Sequence, residues 1–206
     1  MPAKISGVIK SSIAEELDIQ NGDELISIDE IKPQDMIDYN YLCKNEIITI
    51  EIKKSDGEIE EIELEKDYDE ELRVIAERYY GADGEKILCK AGYAEVHNTA
   101  FDEQNRVTRF EYYGTDGQPI LLSNQYSIME RTYDEAGNVA SESYFDAEGK
   151  PVLHKKNKYH KVEKTYLDAK HVTREAWFDP DDQPMPVKDT YVAIEKDYDE
   201  ELRVIA

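Results

Sequence analysis

The sequence predicts a β-rich α+β fold, with a small mixed domain over residues 1–76 followed by an elongated array of β-hairpin repeats over residues 65–206. Three observations predict it. Aromatic residues recur every 32–33 residues after residue 65, Gly-centred turns separate short alternating runs, and the first 64 residues mix strand, turn and helix-capping signals. A fixed period of this length is typical of one supersecondary unit that is copied and stacked.

The N-terminal domain is predicted element by element. Residues 6–10 form a short strand, and Ser12 with Glu15 makes a capping box for a short helix. Residues 24–28 form a strand, and Pro33 opens a second helix that runs to about residue 42. Asp56-Gly57, between two β-rich runs at 47–53 and 59–64, is a strong hairpin signal.

This order of elements resembles a PDZ domain in its bacterial, circularly permuted form. The residues that carry the likeness are SIAEEL at 12–17 and NGDELISI at 21–28. The sequences IDYNYL at 37–42 and EKDYDEEL at 65–72 are most similar to the N-terminal PDZ module of certain clostridial radical-SAM-associated proteins. The three-cysteine cluster motif of the radical-SAM core is absent, so the resemblance implies no iron–sulfur function.

The resemblance implies a groove that binds a peptide C-terminus, because PDZ domains add the peptide as a strand beside their own edge strand and the second helix. The implied lining is Gly7, Val8, Ile9, Ile37 and Tyr41, with the carboxylate at Leu72, Arg73 and Val74. Arg73 stands where the family has glycine, whose backbone freedom the carboxylate loop uses. The alternative is that the domain serves only as a cap or spacer.

The repeat array is predicted to contain about four hairpin units and a partial closing unit. Each unit holds two or three short strands and two Gly-centred turns, as in residues 130–162. A single hairpin cannot bury its own face, so the recurring aromatics are expected to form the core between repeats. The alternative is a ladder of exposed aromatics that stack on sugar rings, carried by Tyr80, Tyr113, Tyr144 and Trp177.

Two turn motifs resemble known bacterial repeats. EYYGTDGQP at 111–119 and SYFDAEGKP at 143–151 are similar to YD repeats of RHS-like proteins and to the choline- or glucan-binding repeats of Gram-positive cell surfaces. The period of this chain is longer than the roughly 20 residues of either class. Trp177 is its only tryptophan, so no ligand-binding residues are carried over.

Composition excludes several functional classes. The chain has 25 Lys+Arg against 47 Asp+Glu, a formal charge of −22, and such a chain is poorly suited to bind nucleic acid or anionic membranes directly. Its acidity leaves open an inhibitor or nucleic-acid mimic that binds a basic partner. We find no catalytic motif, metal-ligand spacing or cofactor motif, and thus predict a non-enzymatic protein without cofactor or metal. No signal peptide is recognised, which predicts a bacterial cytoplasmic protein.

Residues 65–76 and 195–206 are the same twelve letters, EKDYDEELRVIA. Natural repeats that have diverged rarely keep such identity. We therefore hypothesise a recombinant, engineered or generated chimera that is spliced where the two families share the same sequence. A splice would also explain why arginine stands at position 73, because the repeat supplies arginine where the PDZ domain would supply glycine. The predicted function is binding or scaffolding of a protein or peptide ligand, with a cell-wall glycan or a basic protein as the alternative partner.

Overall fold

A computed structural model describes residues 3–8, 13–187 and 190–205, and most of its regular structure is strand. The helices are α1 (Ile13–Glu16) and α2 (Met36–Leu42). The strands are β1 (Ala3–Lys4), β2 (Glu24–Ile28), β3 (Ile47–Lys53), β4 (Ile59–Tyr68), β5 (Val74–Gly81), β6 (Glu95–Phe101), β7 (Val107–Tyr113), β8 (Ile128–Tyr133), β9 (Val139–Phe145), β10 (Lys161–Tyr166), β11 (Val172–Phe178) and β12 (Ala193–Glu195).

The chain divides into two compact units, Met1–His97 with Tyr113–Gln118, and Asn98–Tyr112 with Pro119–Ala206. The boundary predicted from sequence, residues 65–76, lies inside the first unit. The chain is β-rich and built from antiparallel hairpins, as predicted. The α+β class and the PDZ-like fold of the first unit stay predictions.

In the first unit, β1 to β5 pair antiparallel in chain order. Alternate residues of β3, Ile48, Ile50 and Ile52, are buried because strand side chains point to opposite faces in turn. The hairpin between β3 and β4 turns where predicted, at Asp56-Gly57. Gly57 has a φ of +96°, a conformation that a side chain opposes.

The first strand differs from its prediction. It is β1 (Ala3–Lys4), and residues 6–8 lie outside any strand, while Ile9 and Lys10 lie outside the described residues. Backbone pairing with the segment around β2 ends at Ile5, whose N–H donates to Asp23 O at 2.9 Å and whose carbonyl accepts from Gly22 N at 2.9 Å. Gly7 follows, and glycine weakens a strand interior.

In the second unit, the described strands from β7 to β12 also pair antiparallel with their chain neighbours. The hairpin turns of this unit begin with an aspartate, such as Asp102 between β6 and β7 and Asp199 after β12. The Asp102 carboxylate accepts the N–H groups of Gln104 and Arg106, each at 2.9 Å. Asp199 binds Glu201 and Arg203 in the same way, also at 2.9 Å. These side-chain bonds satisfy turn N–H groups that no strand can reach.

Within the described residues, three repeats have a third turn that the sequence did not predict, at residues 89–93, 122–126 and 154–159. After each adjacent pair of aromatic residues, such as Tyr79-Tyr80, a further aromatic residue packs on the first member of the pair, which is buried. The ring pairs are Tyr79–Tyr93 at 6.0 Å in the first unit, and Tyr112–Tyr126 at 5.9 Å, Tyr144–Tyr159 at 6.3 Å and Trp177–Tyr191 at 5.8 Å in the second. Aromatic pairs at these separations stabilise a small β core beyond their buried area.

Successive hairpins of the second unit are also joined by tyrosine hydroxyls. Tyr133 Oη donates to Val107 O at 3.0 Å, and Tyr166 Oη donates to Val139 O at 2.9 Å. Tyr198 does the same to Val172 O at 3.0 Å. These bonds give a physical reason for two of the recurring series, because the tyrosine of one repeat binds the backbone at the valine of the repeat before it.

Candidate functional site

The exposed face of α2 carries two large apolar side chains. Asp35 caps the helix, and its carboxylate accepts the N–H groups of Ile37 at 2.8 Å and Asp38 at 3.0 Å. Ile37 is 78% exposed and Tyr41 is 74% exposed. They are four residues apart and therefore lie side by side on one helical face, whereas Leu42 is buried.

A buried lysine holds the other end of α2. Lys66, on β4, is only 7% exposed, and its ammonium donates to Cys43 O, at the helix C-cap, at 2.8 Å. A cation at this end also complements the helix dipole. Burial raises the pKa of the Cys43 thiol. Burial is also the main reason that the pKa of the Tyr39 hydroxyl lies above its usual value. The face with Ile37 and Tyr41 is thus presented from a helix that is fixed at both ends.

The remaining residues of the predicted groove lie in several places. Gly7 and Val8 lie outside the strands, and Ile9 lies outside the described residues. Leu72 and Arg73 lie in the turn from β4 into β5, with Leu72 at a φ of +60°, and Val74 is the first residue of β5. In the strand order of the first unit, β2 and β3 lie between β1 and β4. The structure thus brings together Ile37 and Tyr41, and separately Leu72 to Val74.

Arg73 is bound within its own turn. Its Nε donates to Asp69 Oδ2 at 2.6 Å, and its Nη1 lies 2.8 Å from Glu71 Oε2. The backbone N–H of Arg73 donates to Asp69 Oδ1 at 2.9 Å. This last bond is the main reason that the Asp69 pKa lies below its usual value. The arginine at the family's glycine position therefore closes a hairpin turn.

The four aromatics proposed as a sugar-stacking ladder lie in two environments. Tyr144 and Trp177 are 2% and 5% exposed and belong to the core. Tyr80 and Tyr113 follow the buried Tyr79 and Tyr112, so they point to the opposite face of their strands, where they are half-buried. Tyr80 Oη donates to the Glu65 carboxylate at 2.8 Å. Burial, aided by that carboxylate, raises the pKa of Tyr80 to about 12.

The core of the second unit contains a cluster that the sequence analysis missed. The ring of His154 lies 4.7 Å from that of Tyr144 and 5.7 Å from that of Tyr126. Tyr144 donates to Glu142, whose carboxylate also pairs with Arg131 at 2.8 Å. Burial raises the pKa of Tyr126 to about 12 and is the first cause of the raised pKa of Tyr144.

His154 is neutral in this cluster. Its Nδ1 accepts the backbone N–H of Asn157 at 3.1 Å, which requires an unprotonated nitrogen there. Burial lowers the His154 pKa below its usual value. Only the repeated spacing of Tyr126 and Tyr159 signalled this region in sequence, because the histidine occurs in one repeat alone. The bonds serve the turn at residues 154–159, so the cluster is a packing element.

A shallow cleft of about 280 Å³ lies in the second unit beside the Tyr133 ring. The Arg106 guanidinium stacks on that ring, with its carbon 4.7 Å from the ring centre, and also donates to Asp134 O at 3.1 Å. Thr108 and Thr132 line the same cleft. Two of the charged residues that line the cleft are already paired with each other, since Arg106 Nε lies 2.6 Å from Asp102 Oδ2.

Comparison with known proteins adds no family. No protein-family model matches the chain, and no curated protein is similar to it. Neither described helix is long and apolar enough to cross a membrane. Among the described residues, no group of three or more His, Cys, Asp or Glu side chains is placed to hold a metal ion.

Proposed function

We propose that the chain is a non-enzymatic binding or scaffold protein whose first unit binds an extended peptide against α2, as a PDZ-like domain does. The observation that carries the proposal is the exposure of Ile37 and Tyr41, neighbours on the open face of a helix fixed at both ends. An apolar pair in this position offers a ligand side chain a place to be buried. Full burial of one such side chain is worth about 1.5–3 kcal/mol.

The peptide ligand is proposed to end in a free carboxylate, following the PDZ resemblance of residues 12–28. The residues proposed for it remain Leu72 to Val74. Arg73 gives this turn a cation, although its guanidinium is already paired with Asp69 and Glu71. A carboxylate ligand would therefore compete with two carboxylates of the chain itself, which predicts weak binding by the wild type and a strong dependence on salt.

The test is a titration of the full chain with a library of fluorescent peptides, each made with a free and with an amidated C-terminus. Ile37→Ser and Tyr41→Ser should each weaken binding about tenfold, equivalent to about 1.4 kcal/mol. Both side chains are exposed, so the stability of the chain should change by less than about 0.5 kcal/mol. Ile59→Ser is the matched control, because Ile59 is an exposed isoleucine of the same unit on β4.

The possible outcomes separate the proposed carboxylate site from the proposed surface on α2. Equal binding of amidated peptides would refute carboxylate recognition but keep the α2 surface, and binding unaffected by Ile37→Ser and Tyr41→Ser would refute the surface itself. Arg73→Gly restores the residue that the family has, so tighter binding by this variant would support a carboxylate site at Leu72 to Val74. If no peptide binds to the wild type or to Arg73→Gly, the proposal fails, and the first unit has no peptide-binding function.

A further inference from the structure

The third turn at residues 154–159, in the second unit, carries three exposed lysines, Lys155, Lys156 and Lys158. The corresponding turn at residues 122–126 has no lysine, and the one at residues 89–93 has a single lysine. The turn at 154–159 is also one residue longer than these two turns. The three lysines, called the lysine turn below, are thus a feature of one repeat and not of the repeat pattern.

The ammonium groups of the lysine turn lie apart from the carboxylates of the chain. In the part of the chain that the structure describes, no Asp or Glu oxygen lies within ion-pair distance of these three groups. Other lysines of the same unit are paired, since Lys161 lies 3.1 Å from Glu163 and Lys164 lies 3.4 Å from Glu175. In a chain with a formal charge of −22, the lysine turn is therefore a local positive region.

The backbone of the lysine turn is held by hydrogen bonds. Lys155 N donates to Asn124 O, in the third turn of the preceding repeat, at 2.8 Å, and Lys158 N donates to His154 O at 2.7 Å. Between them, Asn157 N donates to His154 Nδ1 at 3.1 Å. A ligand would therefore meet three cations on a backbone that is already ordered, which lowers the entropy cost of binding.

An exposed leucine lies beside the lysine turn. Leu153, which directly precedes the turn, is 40% exposed, whereas the next residue, His154, is buried against the ring of Tyr126. Apolar surface next to cations favours a ligand that places an apolar side chain among acidic ones. Leu153 thus gives the surface a means of selecting among acidic ligands.

The charge around the lysine turn favours a short acidic ligand over a long polyanion. Exposed carboxylates such as Glu148 and Asp168 lie on other turns of the same unit. A nucleic acid or an anionic membrane would extend beyond three lysines and would meet these carboxylates. A short peptide contacts the lysines alone, and at physiological ionic strength charges more than about 8 Å away are largely screened.

We propose that the lysine turn, together with Leu153, binds an acidic segment of a partner protein in which carboxylates flank an apolar side chain. The carboxylates of the segment pair with Lys155, Lys156 and Lys158, and its apolar side chain packs on Leu153. This surface is independent of the α2 peptide site, since it lies in the other unit and uses none of the same residues.

The probe is an acetylated and amidated peptide, Glu-Glu-Glu-Leu-Glu-Glu-Glu, titrated onto the full chain at physiological ionic strength. Lys155→Gln, Lys156→Gln and Lys158→Gln should each weaken binding about threefold, and the triple variant about tenfold or more, because single exposed ion pairs are weak. Glutamine fits the backbone at position 158, since Gln125 holds the corresponding position at a φ of +70° and Lys158 has a φ of +68°. Amide hydrogen exchange should show new protection at residues 154–159.

Matched controls lie at the other end of β10. Lys170→Gln makes the same change of net charge in an exposed turn, and the six residues of β10 separate the two turns by about 20 Å. Lys170→Gln should leave binding intact. Leu153→Ser should weaken binding about threefold. Leu167→Ser, which changes a 55% exposed leucine beside Lys170, should not weaken binding.

Several results would overturn the proposal. They are equal binding of a peptide with glutamine in place of every glutamate, an equal loss of binding in Lys170→Gln, and absence of any binding by the wild type. Tighter binding of duplex DNA or of anionic vesicles through the same three lysines would show that the ligand is not an acidic protein segment. A wild-type dimer that the triple variant dissociates would show that the occupant is a second copy of the chain.

Discussion

Replacing Lys66 should destabilise the first unit, while the same replacement at Lys196 should have little effect. The two lysines occupy the same place in the duplicated segment, but Lys66 is buried and binds the C-cap carbonyl of α2. Lys196 is half-exposed, and its backbone N–H donates to Thr173 O on β11, while that of Lys66 donates to Glu46 O just before β3. The pair therefore isolates the role of the buried ammonium from the role of lysine in the segment.

The magnitude follows from the bond that is lost. Methionine at position 66 keeps most of the apolar stem but leaves the Cys43 carbonyl without its donor, and a buried acceptor without a partner costs about 1–3 kcal/mol. Loss of the favourable charge at the helix end adds about 0.3–1 kcal/mol. Removing a desolvated ammonium offsets part of this cost. We expect a net loss of about 1–2 kcal/mol for Lys66→Met and less than about 0.5 kcal/mol for Lys196→Met.

The assay is urea unfolding of both variants, combined with amide hydrogen exchange across α2. Exchange at residues 41–44 should rise in Lys66→Met before the rest of the first unit is affected, because the lost bond ties the end of the helix to β4. Equal unfolding midpoints and equal exchange for the two variants would refute the reasoning. A larger loss in Lys196→Met would show that the segment matters for a reason other than its bond to α2.

Three further outcomes are expected. Tyr166→Phe removes the bond to Val139 O and should destabilise the second unit by about 1 kcal/mol, measured by urea unfolding. Leu72→Gly should stabilise the first unit by about 0.5–1 kcal/mol in thermal unfolding, because the φ of +60° opposes a leucine side chain. The His154 pKa is depressed on folding, so its contribution is fully present above the unfolded value of about 6.5 and is lost as the pH falls through the folded value. Acid unfolding, followed by circular dichroism, should therefore begin at a lower pH in His154→Gln than in the wild type, and an unchanged or higher onset would contradict this.

Much of the fold could be predicted because its signals are local. The hairpin at Asp56-Gly57 depends on a residue pair whose backbone preferences are known. The helix α2 begins beside Asp35, whose cap can be recognised from neighbouring residues alone. The repeat array could be predicted because several series of aromatic residues share one period. A shared period indicates stacked strands, whichever series forms the core.

The site could be predicted less well because it depends on long-range neighbours. The two residues of an aromatic pair such as Tyr144-Phe145 are alike in sequence, and only the strand pleat decides which is buried. Sequence alone therefore places Tyr144 and Trp177 with Tyr80 and Tyr113, although they point to the other face of their strands. The groove residues Gly7 to Ile9 depended on a predicted strand at 6–10, and the described part of that segment lies outside the strands.

The duplicated segment separates what a sequence dictates from what its neighbours dictate. Both copies form the same Asp-capped turn, with Arg73 Nε 2.6 Å from Asp69 and Arg203 Nε 2.7 Å from Asp199. The twelve-residue segment therefore determines this turn by itself, and its arginine is one of the residues that stabilise the turn. If the chain is a chimera, the splice brought a complete turn into the N-terminal unit, and Arg73 came with the aspartate that binds it. Replacing Arg73 by glycine then tests two opposed demands at one position, since the turn is stabilised by the arginine while a carboxylate loop requires the glycine.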